Sequence, residues 1–308
     1  MLWKLPVLGK ISKIGITPPA PEPGRAGLAI AAIVRNEARH IGEWAAFHHA
    51  AGVTRFLIYD NGSTDGTRAA LARALPPEAL EILPWNQVFR DARMGREIHN
   101  QVLAYAHAAR NFGAGLRWMA FIDVDEFLIP TRDASLPEAL AALPEARNIS
   151  LPWHMFGRSG HVAPPAAGVL ASYTRRAADP MSDTRGIRAF KCIVDPCHLT
   201  ALRVHSMETD GSEATVNDAG QPAADARARD ARDFYSTARI QLNHYYTRSE
   251  SELAAKIGRG PNLRDKAGDY ERKVRRTVAN IEAEEVEDRT ALDCCARIGW
   301  RPGAGPAA

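Results

Sequence analysis

The stretch LAIAAIVRNE, residues 28–37, decides the fold class of this 308-residue chain. Seven apolar residues end at a polar turn, and apolar positions then recur at helical spacing from Ile41 to Ala51, before Gly52. A continuous apolar run followed by a period of 3.6 residues predicts a buried strand and then a helix. The stretch therefore predicts the first strand–helix unit of an α/β protein.

The same alternation recurs through the first 130 residues. Apolar runs at 56–59, 80–85 and 118–122 follow, with helices expected up to Leu75 and over about 91–111. Four such units predict a mostly parallel, Rossmann-like sheet with helices on both faces.

After Pro130 the alternation weakens, which predicts a smaller second subregion. Strands are expected at 149–153, 190–194, 202–205 and 239–245, and helices from Ser249 and from about Tyr270. Residues 206–233 show no hydrophobic period, so we expect a mobile loop or a short helix there.

The composition is that of a soluble globular protein, with 45% hydrophobic and 24% charged residues and a formal net charge of +3. So small a positive charge gives no reason to expect a nucleic-acid partner. Four irregularly spaced cysteines predict reduced thiols rather than a disulfide framework or a zinc site. No apolar run reaches the length of a membrane-spanning helix.

Residues 1–26 differ from the rest of the chain. Residues 1–16 mix Leu, Ile and Trp with Lys4, Lys10 and Lys13, and the four prolines of residues 17–24 predict an extended linker. Two interpretations stay open: the basic, apolar arm lies on an anionic membrane surface, or it packs on its own domain. We expect a cytoplasmic protein, in the first case at the inner face of the membrane.

Three carboxylates follow the fourth strand in the segment FIDVDEF, residues 121–127. Side chains alternate along an extended chain, so Asp123 and Asp125 share one face where open α/β sheets bind ligands. Paired carboxylates suit Mg²⁺ or Mn²⁺, which often completes its shell with nucleotide phosphates. The alternative is a solvated turn capped by its own carboxylates.

Polar residues also follow the first two strands. Arg35 and Glu37 come after the first, and Asp60 and Asn61 after the second. The carboxyl ends of parallel strands meet at one edge of a sheet, so we expect these groups in the same crevice as the acidic segment.

Five sequence blocks occur in order over about residues 27–260. They are VRNEARHIGEWAAFHHAAGVTRFLIYDNGSTDGT, WMAFIDVDEFLIP, WHMFGRSGH, FKCIVDP with His205 after it, and NHYYTRSESELAAKIGRG. Together they resemble glycosyltransferase family 92 and its bacterial relatives in the family 2-like group. The resemblance implies a GT-A fold, a nucleoside diphosphate sugar donor (a UDP-sugar above all), a divalent Mn²⁺ or Mg²⁺, and transfer with inversion to a glycan or lipid-linked acceptor.

The resemblance also implies roles on the donor side of the crevice. Asp60 would bond the donor base, and Arg35 and Glu37, with Asn61 beside them, would line the nucleotide pocket. Asp123 and Asp125 would hold the ribose and the metal.

On the far side of the cleft, His244 or His205 would supply a further metal ligand. Lys256 and Arg259 would neutralise the leaving diphosphate, unless they form an ordinary solvated helix face. Trp153, with Phe156 and Gly157, would form the floor for the acceptor sugar, the alternative being plain core packing.

An inverting transfer needs a carboxylate to take the proton of the acceptor hydroxyl. Asp183, Glu208 and Asp210 are the candidates, and their spacing favours none of them. The expected organisation is an arm and linker (1–26), a nucleotide-sugar-binding half (27–130), an acceptor and metal-completing half (131–260) and a C-terminal helical tail (261–308). The alternative functions are a nucleotidyltransferase or metal-dependent phosphohydrolase, and a non-catalytic nucleotide-sugar or glycan binding module.

Overall fold

The computed structural model describes residues 9–259 and 267–303. Its strands are β1 Ile14–Gly15, β2 Leu28–Val34, β3 Arg55–Asp60, β4 Leu80–Pro84, β5 Trp118–Phe121, β6 Glu126–Pro130, β7 Asn148–Met155, β8 Arg175–Ala177, β9 Phe190–Val194, β10 Leu199–Leu202, β11 Met207–Thr209, β12 Thr215–Val216, β13 Pro222–Ala223, β14 Ile240–His244 and β15 Glu285–Glu287. Its α-helices are α1 Ile41–Ala50, α2 Thr67–Ala74, α3 Asn100–Phe112, α4 Leu136–Ala141, α5 Val169–Ser172, α6 Glu250–Arg259, α7 Ala267–Glu282 and α8 Thr290–Arg297.

A ten-stranded sheet runs through the described part of the chain: eight of its strands lie in the order β13-β12-β7-β9-β5-β2-β3-β4, and β14 and β6 lie off this path. Strands β5, β2, β3 and β4 are parallel. Strand β9 is antiparallel between β5 and β7, and β14 joins β7 to β6. The predicted mostly parallel α/β sheet is confirmed.

The two faces of β2 show why this sheet is covered on both sides. Leu28, Ile30 and Ala32 pack with α1 in one core cluster, whereas Ala29 and Ala31 pack with α3 in another. Alternate residues of a strand point to opposite faces, so an apolar run with no polar alternation requires two apolar layers.

The sheet continues through both predicted halves of the chain, because β5 pairs with β9 and β6 with β14. The C-terminal residues also join the fold: β15 pairs with β8, and Cys294 and Cys295 of α8 lie in the main core. All four cysteines are free thiols.

The helix predicted over residues 91–111 begins only at Asn100. Residues 88–98, here called the β4–α3 hairpin, turn back on themselves. The amide of Ile98 donates to the carbonyl of Phe89, and the amide of Asp91 donates to that of Arg96. Gly95 at the tip has a φ of 64°, a conformation that favours glycine and stops a helix.

Of the two structures predicted for residues 206–233, the mobile loop is wrong, and a short helix is found as a 3-10 turn over Ala228–Asp230. The segment contains β11, β12 and β13 and buries several of its polar side chains. Asp218 accepts the amides of Arg239 and Ile240, and Asn217 accepts those of Ala219 and Gln221. Buried polar side chains here satisfy backbone groups, which a search for hydrophobic period does not detect.

The N-terminal arm packs on its own domain over the described residues 9–16. Strand β1 pairs with β10, Lys10 forms an ion pair with Glu97, and Lys13 forms one with Glu208. The proline-rich segment is also held, because the amide of Glu22 donates to the carbonyl of Ala114. Residues 1–8 lie outside the described part. Among the described residues, no helix is both long enough and apolar enough to cross a bilayer.

Candidate active site

The acidic segment forms a closed turn at the carboxyl end of β5. The amide of Glu126 donates to the carbonyl of Asp123 at 3.0 Å, and the amide of Asp123 donates to the Glu126 carboxylate at 2.8 Å. Strand β6 starts immediately after this turn. The reciprocal hydrogen bonds fix where Asp123 and Asp125 leave the sheet.

Strand β14 brings His244 to Asp125. His244 pairs with Glu126 in the antiparallel ladder, and the amide of Tyr245 donates to the Asp125 carbonyl at 2.8 Å. Asp125 Oδ2 then lies 3.4 Å from His244 Nε2 and 3.8 Å from Lys256 Nζ. Burial acts to raise the pKa of Asp125, but His244 and Lys256 lower it well below its usual range.

This pair fits part of a divalent metal site. A carboxylate oxygen and an imidazole nitrogen 3.4 Å apart can bind one ion, and the Asp125 side chain keeps 24% exposure toward the crevice. Burial lowers the pKa of His244, which favours the neutral ring that a metal needs. Among the residues that the structure describes, no three His, Cys, Asp or Glu side chains cluster as a complete metal site.

Asp123 is held from two directions. Its Oδ2 accepts a hydrogen bond from Lys191 Nζ at 2.8 Å, and its Oδ1 accepts one from Gln101 Nε2 at 2.6 Å. Lys191 is fully buried and also lies 3.4 Å from Glu126. Although burial acts to lower it, the two carboxylates raise the pKa of Lys191 well above its usual value, so this lysine is charged.

Lys191 and Gln101 were not predicted as site residues. Lys191 does leave a signal in the sequence, because it is the one charged residue in the apolar strand FKCIV of residues 190–194. A lysine in such a strand needs a buried carboxylate partner. Gln101 leaves none, since its contact depends on where α3 begins.

The turns after β2 and β3 lie against each other, as predicted. The amide of Asn36 donates to Ser63 Oγ at 3.1 Å, and the amide of Thr64 donates to Asn36 Oδ1 at 2.8 Å. Glu37 faces Arg248 at 3.6 Å, while Arg35 is exposed. The turns therefore form one wall of the crevice.

Asp60 is buried beneath that wall. Its carboxylate accepts hydrogen bonds from the amide of Ser63 at 2.8 Å and from Arg68 Nε at 2.5 Å. Burial acts to raise its pKa, but these hydrogen bonds lower it. Asn61 next to it lies 3.5 Å from Asn100 at the start of α3. The predicted contact of Asp60 with a donor base stays a prediction.

Trp153 lies between the two predicted histidine ligands. Its ring centroid is 4.3 Å from that of His244 and 5.3 Å from that of His205. His205 is turned toward the backbone by a 3.0 Å hydrogen bond between its Nδ1 and the carbonyl of Phe190. His244, not His205, therefore has its ring nitrogen at Asp125.

The prediction that Phe156 and Gly157 form an acceptor floor is wrong. Phe156 is 1% exposed and packs in the main core against Tyr245, with ring centroids 4.6 Å apart. Gly157 is buried against Glu282 and Glu285, where a Cβ would come within 2.6 Å of a carboxylate oxygen. Neither residue is accessible to a sugar, whereas Trp153 is partly exposed.

Lys256 lies at the site and Arg259 ends the same helix. Lys256 Nζ donates to the carbonyl of Tyr246 at 2.8 Å and lies 3.7 Å from the centre of its ring. The side chain of Arg259 lies outside the described residues, so its predicted role stays a prediction.

The three candidate bases lie in different places. Asp183 is in the loop before β9, an exposed position where it pairs with Arg188 at 2.6 Å. Glu208 is paired with Lys13 of the arm.

Asp210 lies at the opposite edge of the sheet. It contacts His198, which is 3.9 Å from Asp195. Asp195 in turn pairs with Arg117, just before β5 begins. Of the three candidates, Asp183 is the one on a segment that leads to the crevice.

The sequence model of glycosyltransferase family 92 matches residues 29–257. A family 92 glycosyltransferase protein of Oryza sativa subsp. japonica is 30% identical over 156 residues, covering 50% of this chain and 25% of that protein. One of Ricinus communis is 30% identical over 168 residues, covering 51% and 28%. One of Arabidopsis thaliana is 30% identical over 164 residues, covering 50% and 27%.

The chain thus spans about a quarter of the length of these plant relatives. Among solved structures, a mycobacterial protein overlaps 43% of this chain and 42% of its own, at 17% identity and a TM-score of 0.30, too distant to bear on the fold. The family match runs from β2 into α6 and so includes the whole crevice. By that match, the chain belongs to glycosyltransferase family 92.

Proposed function

We propose that this protein is a metal-dependent, inverting glycosyltransferase of the GT-A type. It moves a sugar from a nucleoside diphosphate donor to a glycan or lipid-linked acceptor. The observation that carries the proposal is the 3.4 Å approach of Asp125 and His244 beside Asp123, at the carboxyl edge of the parallel strands. Family membership supports the class of reaction, and this edge is where α/β sheets bind nucleotides.

Asp125 and His244 would hold Mn²⁺ or Mg²⁺ in this proposal. When bound, the ion supplies positive charge that offsets the charge developing on the departing diphosphate. Lys256, already 3.8 Å from Asp125, adds a cation at the same end of the crevice. Asp123 is fixed by hydrogen bonds from Lys191 and Gln101, which suits a carboxylate that orients the donor ribose.

The donor nucleotide occupies the wall formed by the turns after β2 and β3. Arg35, Glu37 and Asn61 are the side chains there that can contact a UDP-sugar, while Asp60 holds the turn from below. The acceptor sugar stacks on the partly exposed Trp153. Asp183, on the loop that leads into β9, takes the proton from the acceptor hydroxyl.

The test is the identity of the product. The full chain is incubated with UDP-, GDP- and dTDP-sugars, with Mn²⁺ or with EDTA, and the released nucleotide, phosphate and pyrophosphate are quantified. We expect Mn²⁺-dependent release of a nucleoside diphosphate from one donor, and a product of inverted anomeric configuration by NMR when an acceptor is added.

Other products would overturn the proposal in recognisable ways. Pyrophosphate release would indicate a nucleotidyltransferase, and release of inorganic phosphate alone a phosphohydrolase. Donor binding without turnover under any condition would indicate a binding module. Asp269→Asn, an exposed carboxylate of α7, is the control variant and should behave as the wild type.

A further inference from the structure

The β4–α3 hairpin exposes most of the large apolar side chains that are exposed anywhere in the described residues. Val88 is 63%, Phe89 44% and Met94 56% exposed. The remaining two, Val162 and Val286, lie on separate segments. An apolar cluster on one loop marks an interaction surface more than single exposed residues do.

Backbone hydrogen bonds fix the conformation of the hairpin that carries these exposed side chains. The Ile98 amide donates to the Phe89 carbonyl and the Asp91 amide to the Arg96 carbonyl, each at 2.8 Å. The base of the hairpin is tied to the arm, because the amide of His99 donates to the carbonyl of Ile11 at 2.9 Å. Their exposure is therefore a property of an ordered element.

The hairpin is also positively charged. Arg90 and Arg93 are exposed, and Arg96 donates to the carbonyl of Gly9 at 2.9 Å. Of its two carboxylates, Asp91 accepts the amide of Met94 and Glu97 is paired with Lys10. Exposed apolar side chains interleaved with arginines match the chemistry of an anionic lipid surface.

The hairpin borders the crevice. It follows β4, whose last residue, Pro84, pairs with Asp60, and it leads into α3, whose Gln101 donates to Asp123. A surface bound to the hairpin would therefore lie next to the mouth of the site.

We propose that the β4–α3 hairpin is a membrane-docking element that binds anionic lipid. Val88, Phe89 and Met94 enter the interface, and Arg90 and Arg93 contact lipid phosphates. The proposal is independent of the transfer reaction, because it concerns binding alone.

Vesicle co-sedimentation of the full chain tests it, with phosphatidylglycerol–phosphatidylcholine vesicles against pure phosphatidylcholine. Two variants are compared with the wild type: Val88→Ser/Phe89→Ser/Met94→Ser and Arg90→Glu/Arg93→Glu. The matched controls are Val162→Ser and Arg276→Glu, which change an exposed valine and an exposed arginine elsewhere. Thermal unfolding confirms that every variant is folded.

We expect the wild type and controls to bind anionic vesicles, and each hairpin variant to lose roughly tenfold or more in partitioning. Binding should weaken as salt rises. Three results would overturn the proposal: no binding by the wild type, equal binding by the hairpin variants, or a dimer that the hairpin substitutions dissolve without any vesicle binding.

Discussion

Lys191 Nζ lies 2.8 Å from Asp123 Oδ2, although the lysine is fully buried and the aspartate opens to the crevice. The same ammonium group lies 3.4 Å from the buried Glu126. One cation on β9 thus contacts two acidic side chains of the segment that follows β5. The turn that carries Asp123 and Asp125 is connected to the core of the sheet through this contact.

Removing this cation should destabilise the protein. Lys191→Met removes the buried group that contacts both Asp123 and Glu126, and we expect a loss of about 3 kcal/mol in the free energy of unfolding. Urea denaturation measures it. Burial raises the pKa of Glu126 to about 8, so Lys191→Met/Glu126→Gln should recover part of the loss by replacing this buried carboxyl with a group that cannot ionise.

The control is Lys273→Met, an exposed lysine of α7, which should stay within about 0.5 kcal/mol of the wild type. A Lys191→Met protein as stable as this control would contradict the role assigned to the ion pair.

His48 should make stability fall in acid. Its Nδ1 donates to the Trp44 carbonyl at 2.8 Å, and its Nε2 accepts the amide of Leu128 at 3.1 Å. Burial lowers the pKa of His48 from 6.5 to about 3. The unfolded state therefore binds the proton first, so this stability is present above about pH 6.5 and is lost as the pH falls toward 3.

The measurement is the free energy of unfolding at pH 7 and pH 5, for the wild type and for His48→Gln. Between these values His48 should account for about 2 kcal/mol of the wild-type decline, and the variant should lack that part. His49→Gln, at the exposed neighbouring position, should decline as the wild type does. An equal decline in His48→Gln would refute the assignment.

The three candidate bases should separate in activity assays. Asp183→Asn should lower kcat by about a hundredfold or more, as expected for loss of a general base. Glu208→Gln and Asp210→Asn should leave kcat nearly unchanged, because these carboxylates pair with Lys13 and with Arg147 away from the crevice. Normal turnover by Asp183→Asn would rule out Asp183 as the general base, and with it the last of the three candidates.

The strands that the sequence predicts well are those in which most residues are apolar. The strand predicted over residues 190–194 is β9, with the same bounds. The strand predicted over residues 202–205 lies earlier in the chain, because β10 spans Leu199–Leu202. Strand β6 was not predicted at all. Two side chains of α1 take the place of a neighbouring strand at its edge. Trp44 donates to the carbonyl of Glu126, and His48 accepts the amide of Leu128.

The site is predictable only as far as strand ends can be located. Asp123 and Asp125 follow an apolar run, so their exposure at a sheet edge can be predicted from the sequence. That His244 rather than His205 meets Asp125 depends on the pairing of β14 with β6, a contact between residues more than a hundred positions apart. Local patterns carry no information on such pairing.

The most direct test of the central claim is the rate of nucleoside diphosphate release as a function of Mn²⁺ concentration, for wild type, Asp125→Asn and His244→Gln. We predict that EDTA abolishes the wild-type rate and that each variant needs more than about tenfold higher Mn²⁺ and turns over far more slowly. His49→Gln should match the wild type. A wild-type rate insensitive to EDTA, or variants with the wild-type dependence on Mn²⁺, would contradict the assignment of Asp125 and His244 as the metal ligands.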